Sequence, residues 1–279
     1  MATLATLRLQ VELALAGRVS TPFRYRHGEV VETVSAGIPE IDVLAGGLPR
    51  GGLTEICGPA CSGRTTLLLS ALASRTADAE VCAVIDGCDG FDPYSAEAAG
   101  VDLKRILWVR CQNLNQALRA TDLLIKGGGF GFIALDLSDI APATLRHVPL
   151  NAWFRFRRAV EHTPTILAVL EQESNAKTCA SLVLQLRTES ARWCSTLATH
   201  NPKVSEYPFA RLLDGFVVHA ELLCSRILFS PARRLPGAPK LTDDLASKRA
   251  AGSSAQYFQT KTISLQTEGA AVFRRQRHG

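Results

Sequence analysis

The stretch Gly58-Pro59-Ala60-Cys61-Ser62-Gly63-Arg64-Thr65-Thr66 decides how the chain is read. It follows a compact apolar run, Leu53–Cys57, and opens a segment, 63–75, with the leucine and alanine content of a helix. Two glycines framing four residues between a strand and a helix form a loop whose backbone N–H groups, aided by the helix N-terminus, cradle phosphate oxygens. On this reading Gly58, Gly63, Arg64, Thr65 and Thr66 hold the phosphates of ATP or ADP, and the Thr65 hydroxyl reaches Mg²⁺. One position departs from the pattern. Arg64 stands where a lysine is usual, and a planar guanidinium is too wide to take the place of an ammonium between two phosphates. The expectation is nucleotide binding without fast turnover. The competing reading is a loop that survives only as a turn and binds no nucleotide.

Outward from the loop, apolar runs alternate with helical segments. Strands are expected at 81–86, Ile106–Arg110, Phe132–Asp136 and 165–170, each short and continuous like strands buried on both faces of a parallel sheet. Helices are expected at 94–99, 113–126 and 149–162, with Trp153 and Phe156 turned into the core. The alternation predicts an α/β fold with a central, mostly parallel sheet flanked by helices. Asp136 ends an apolar strand, where a carboxylate completes a Mg²⁺ site by holding its water shell. Past residue 170 the pattern changes: 182–187, 192–194 and 216–228 read as antiparallel strands that close the sheet.

The ends differ in character. Leu7, Val11 and Leu15 lie four apart and predict a short amphipathic helix over 3–17, followed by a linker over 20–28 interrupted by Pro22 and Gly28. The stripe is too narrow to fold alone and is expected to dock, with self-association as its proposed use. Residues 234–254, rich in Pro, Gly, Ser, Ala and Lys, read as mobile. The net charge of +5 is uneven, because residues 226–279 hold ten Lys/Arg against three Asp/Glu. A basic tail of this kind suits an acidic partner or weak contact with DNA. The expected organisation is therefore 1–33 helix and linker, 34–230 core, and 231–279 tail. The eight cysteines contain no C-x-x-C pair and read as reduced, buried small hydrophobes. No apolar run approaches the ~20 residues of a membrane span and no secretory signal is legible, so a cytoplasmic protein is expected.

Several motifs at consistent spacing resemble bacterial RecA recombinases. They are Ser35-Ala-Gly-Ile-Pro-Glu-Ile-Asp42, Gly46-Gly-Leu-Pro-Arg-Gly-Gly-Leu-Thr-Glu55, the phosphate loop, Ile85-Asp86, Phe91-Asp-Pro93, Gly100-Val-Asp102 and Gln116-Ala-Leu118. The resemblance implies a RecA-like core and gives roles to further positions. The glutamate that prepares the attacking water in that family falls at Cys88, with Asp89 beside it. The adenine-stacking tyrosine falls at Ser95, with Tyr94 one residue early. The glutamine that senses the γ-phosphate is kept as Gln172, at the end of Val169-Leu-Glu-Gln172. The long loop that grips single-stranded DNA is reduced to 173–181, and the carboxyl domain of the family is expected to be replaced by the basic tail.

With the strand 182–187, Arg192-Trp193 and Arg211-Leu-Leu-Asp-Gly215, the chain is most similar to the ImuA family. This resemblance implies a non-polymerase accessory protein of inducible translesion DNA synthesis and mutagenesis in the SOS response to DNA damage, with an ImuB-like protein and RecA as partners. Two other functions fit the residues: a divergent RecA-like DNA-dependent ATPase or recombinase using a carboxylate such as Asp89, and a RecA-like regulator or kinase outside DNA repair.

Overall fold

A computed structural model of the chain describes residues 31–194, 212–226 and the backbone of 254–261. The N-terminal helix and linker, and the segment 227–253, lie outside these described residues.

A small antiparallel pair, β1 (Thr33–Val34) and β2 (Leu48–Pro49), brackets helix α1 (Pro39–Ala45). The core then runs β3 (Leu53–Cys57), α2 (Arg64–Ala77), β4 (Cys82–Asp86), α3 (Pro93–Ala98), β5 (Ile106–Arg110), α4 (Leu114–Gly127), β6 (Phe132–Asp136), α5 (Pro142–Leu145), α6 (Leu150–Val160) and β7 (Ile166–Glu171). It closes with β8 (Leu182–Cys194), β9 (Leu212–Ser225) and β10 (Ser254–Lys261). The eight strands form one sheet in the order β10-β9-β8-β3-β7-β6-β4-β5. The strands from β8 to β5 are parallel, while β9 and β10 are antiparallel additions.

Strand periodicity explains why the inner strands are apolar at nearly every position. Ile56, Val84, Ala134 and Ala168 pack on one face against Leu67, Leu68 and Leu72 of α2 and Ile41 and Leu44 of α1. Their neighbours Leu53, Ile85, Leu135 and Val169 pack on the other face against Ala117 and Ile125 of α4 and Trp153 and Phe156 of α6. Successive side chains point to opposite faces, and helices cover both, so even the polar residues inside these strands, Thr54, Glu55 and Glu171, are buried. Strand β5 is the exception. It is the edge of the parallel part of the sheet, and its residues are only half-buried or exposed.

Local chemistry sets the helix starts. Asp92 caps α3 by accepting from the N–H groups of Tyr94 and Ser95, with Pro93 at the first position, and Asn113 caps α4 through the N–H of Gln116. Every inner-strand carboxyl end lies on the same edge of the sheet, the edge where open α/β sheets carry their ligands. Among the described residues no helix is long and apolar enough to cross a membrane.

Two expectations change. The strands read at 182–187 and 192–194 are one strand, β8, continued through the polar run Thr188-Glu-Ser-Ala191 by bulges in its pairing with β9. Part of the expected tail, Ser254–Lys261, pairs along its whole length with Gly215 to Leu222 of β9 and is the outermost strand of the sheet.

Candidate functional site

The phosphate loop joins β3 to α2. Gly63 has φ 91° and caps α2, a conformation that glycine adopts without strain. Gly58 admits no side chain, since a Cβ there would stand 2.5 Å from the Leu186 carbonyl of β8. The Thr188 hydroxyl, also on β8, donates to the Cys61 carbonyl and ties the loop's tip to the same strand. Cys61, Ser62, Gly63, Arg64, Thr65 and Thr66 line a cleft of about 180 Å³, with Phe216 and Val218 of β9 as its apolar wall.

Arg64 is 6% exposed and lies inward, its Nη1 donating to the Ser138 carbonyl at 3.4 Å. Gln172, just past β7, donates through Nε2 to the same carbonyl at 3.1 Å. The Ser138 N–H donates to Asp136 Oδ1 at 2.9 Å. The loop arginine, the β6 aspartate and the β7 glutamine are thus brought together around Ser138, a residue that the sequence reading did not single out. Burial pushes the Asp136 carboxyl up, with bonds from Ser138 opposing, Asp86 adding to the rise and Arg64 opposing it. Asp136 offers a desolvated carboxylate and Thr65 an exposed hydroxyl, both hard-oxygen donors of the kind that a hydrated Mg²⁺ takes. The Ser62 hydroxyl, buried in the loop without a hydrogen-bond partner, is the orphan polar group expected of a loop built to meet phosphate.

The water-activating side is different. Cys88 Sγ accepts the Asp139 N–H at 3.3 Å and lies 3.8 Å from the Asp136 carbonyl, to which it donates. Burial pushes its thiol up, so it stays protonated and is a poor base. Asp89, at φ 56°, is ion-paired with Arg110 at 2.6 Å on the β5 side. Arg110 lies over the Trp108 ring at 5.2 Å, and the Trp108 indole N–H donates to Asp86 Oδ2. At the adenine position, the Ser95 hydroxyl donates to Asp92 in the α3 cap, and Tyr94 is 72% exposed.

The shortened loop after Gln172 rests on two carboxyl groups that stand in the quoted motifs but were given no role there. Glu55 of β3 and Glu171 of β7 are wholly buried and bonded to each other. Glu55 accepts from the Ser174 hydroxyl and from the N–H groups of Asn175 and Ala176, while Glu171 accepts from the Asn175 side-chain amide at 2.8 Å. Burial, then the bond to and charge of Glu55, push the Glu171 carboxyl up to about 9. Glu171 therefore keeps its proton near neutrality. The signal was present, since each carboxylate interrupts an apolar strand.

Of the cysteines, Cys57, Cys82 and Cys179 are buried as expected, and Cys88, Cys111 and Cys224 are half-buried. Cys61 is exposed at the loop's tip, contrary to expectation, because the loop turns there to reach β8.

Comparison with known proteins agrees with this geometry. Residues 21–145 match the RecA N-terminal domain. The core is RecA-like. Protein RecA of Allorhizobium ampelinum is 40% identical over 108 residues, which are 38% of this chain and 30% of that protein. Protein RecA of Brucella canis is 38% identical over the same share of each chain. The chain thus spans about a third of the length of the curated relatives it matches, and the RecA-like likeness lies in the half that carries the phosphate loop, Cys88 and Asp136.

Proposed function

We propose that this chain is an accessory protein of SOS-inducible translesion DNA synthesis, of the ImuA type, acting in the cytoplasm through contacts with an ImuB-like protein and with RecA. On this reading the RecA-like core is a recognition surface, and ATP or ADP with Mg²⁺ is held statically or not at all. The observation that carries it is the state of the water-activating position. Cys88 is a protonated thiol, and Asp89, the nearest carboxylate in sequence, is engaged by Arg110 on the far side of β4. General-base assistance contributes about 10²–10⁴-fold to reactions of this kind, so its loss alone slows hydrolysis by orders of magnitude. The short loop hydrogen-bonded to the Glu55 and Glu171 pair also supports a core that has given up gripping a DNA strand.

The N-terminal helix is assigned to self-association and the basic tail to weak DNA contact; both lie largely outside the described residues. Two measurements on the purified protein test the reading. Phosphate release from ATP should stay at background with or without single-stranded DNA, and equilibrium binding to the ImuB-like protein or RecA should be saturable. DNA-stimulated turnover would favour a divergent DNA-dependent ATPase instead.

A further inference from the structure

The outward face of α6 is a surface that carries exposed apolar side chains among the described residues. Trp153, Phe156 and Val160 turn into the core, while Leu150 and Phe154 stand 41% and 46% exposed. Four residues apart on a helix, they share one stripe, and Arg157 and Arg158 continue it by one turn. At that end Arg157 Nη1 donates to the Thr178 carbonyl at 3.2 Å. Arg226, just past β9, donates through Nη1 to the same oxygen at 2.6 Å. One carbonyl therefore holds two guanidinium groups side by side, each with further N–H donors free to point elsewhere.

The charges around them are not equivalent. Arg146 is paired with Glu173 and Arg155 with Asp122, whereas neither Arg157 nor Arg226 has an ion-pair partner among the described residues. Exposed Arg158 and Lys177 add positive charge at the same end. Two like charges fixed on one acceptor repel, and a carboxylate that bridges them removes the repulsion while using the planar fork of each. The surface is thus apolar at one end and cationic at the other. A nucleic-acid strand needs cations along its backbone track, and here they are confined to one end.

We propose that the Leu150 and Phe154 stripe, with the Arg157 and Arg226 pair, is a docking surface for a protein segment that carries acidic side chains directly beside apolar ones. The surface does not involve the phosphate loop, and the inference stands whether or not the chain is an accessory protein of translesion synthesis.

Fluorescence anisotropy on the full-length protein tests it with three labelled probes: a peptide of repeated Leu-Leu-Asp-Glu units, the same peptide with Asn and Gln in place of the acids, and an oligo-dT strand. The acidic peptide should bind saturably, and the amide version about tenfold or more weaker. Phe154→Ser and the double substitution R157Q/R226Q should each weaken the acidic peptide by a similar factor. Arg119→Gln, at an exposed arginine of α4, should leave it unchanged. Thermal melts report whether each variant stays folded, and R158Q/R226Q replaces the first pair if R157Q/R226Q does not. Lack of saturable binding by the unaltered protein would overturn the proposal. So would affinity that survives both sets of substitutions, or an oligo-dT strand that binds more tightly than the peptide through the same residues.

Discussion

Asp86 and Asp136 are register partners on neighbouring parallel strands, at the same height in the sheet, and their surroundings drive them in opposite directions. Burial raises the Asp86 carboxyl, but the N–H groups of Phe91, Gly90 and Cys88 and the Trp108 indole outweigh it and hold it below the usual carboxylate range. Asp136 is buried with the Ser138 N–H bonded to its carboxylate, and burial holds that carboxyl above the range. The difference shows what has become of each half of the crevice. The end of β4 is a closed turn whose aspartate is fully occupied with structure, and the end of β6 keeps a carboxylate that a cation would satisfy.

The sharpest way to break this contrast is Asp86→Ala. It strips an acceptor from four donors, three of them backbone N–H groups, and should cost about 3–5 kcal/mol in chemical denaturation. The pH dependence has a definite sign: with a lowered folded pKa, the contribution of Asp86 is present above the ordinary carboxylate range and is lost as pH falls through the lowered value. A variant as stable as the parent would mean that the turn holds itself.

Next in size is Glu55→Gln, which replaces one acceptor oxygen with a donor facing the loop. A loss of about 1–3 kcal/mol is expected, with faster hydrogen exchange at Asn175 and Ala176. Glu171→Gln acts differently. A carboxyl raised from 4.5 to about 9 binds its proton more tightly in the folded state, so stability declines as pH rises between those values. Removing the titration should flatten that slope, leaving the variant more stable than the parent at pH 9 and similar to it at pH 5. An unchanged slope in a pH series of melts would show that Glu171 does not hold its proton in the folded state.

Smallest is Asp136→Asn. Without Mg²⁺ it should change stability by less than about 1 kcal/mol, because it removes a poorly solvated charge while keeping an acceptor for Ser138. Any Mg²⁺-dependent part of nucleotide affinity should disappear, which isothermal titration with and without the metal measures. Affinity that still responds to Mg²⁺ would move the metal site away from β6.

The parallel half of the fold was legible because each strand is a short apolar run between turn residues. The expected 81–86 and 165–170 sit within one residue of β4 and β7. Helix α1 was missed because its seven residues are too few to show a period, and β8 was split because Thr188 to Ala191 lie past the end of β3, where no core demands apolar side chains. At the site, side-chain types announced the loop and Asp136, and the resemblance to RecA recombinases pointed to Gln172. They could not announce Ser138, whose part is played by its carbonyl and N–H, and any residue type supplies those. Glu55 and Glu171 were readable as carboxylates inside apolar strands, but their pairing needs the register of β3 against β7.

Strand β10 bears on how the C-terminal segment is dissected. Its eight residues hydrogen-bond along Gly215 to Leu222, and Phe216 and Val218 on that stretch also wall the phosphate cleft. Cutting the chain near Leu235 would strip that cover and bare a long row of unpaired backbone groups, a template for aggregation. A truncation meant to remove a tail would therefore act on the shape of the cleft beside the 58–66 loop, and substitutions within the basic residues alone are the cleaner dissection.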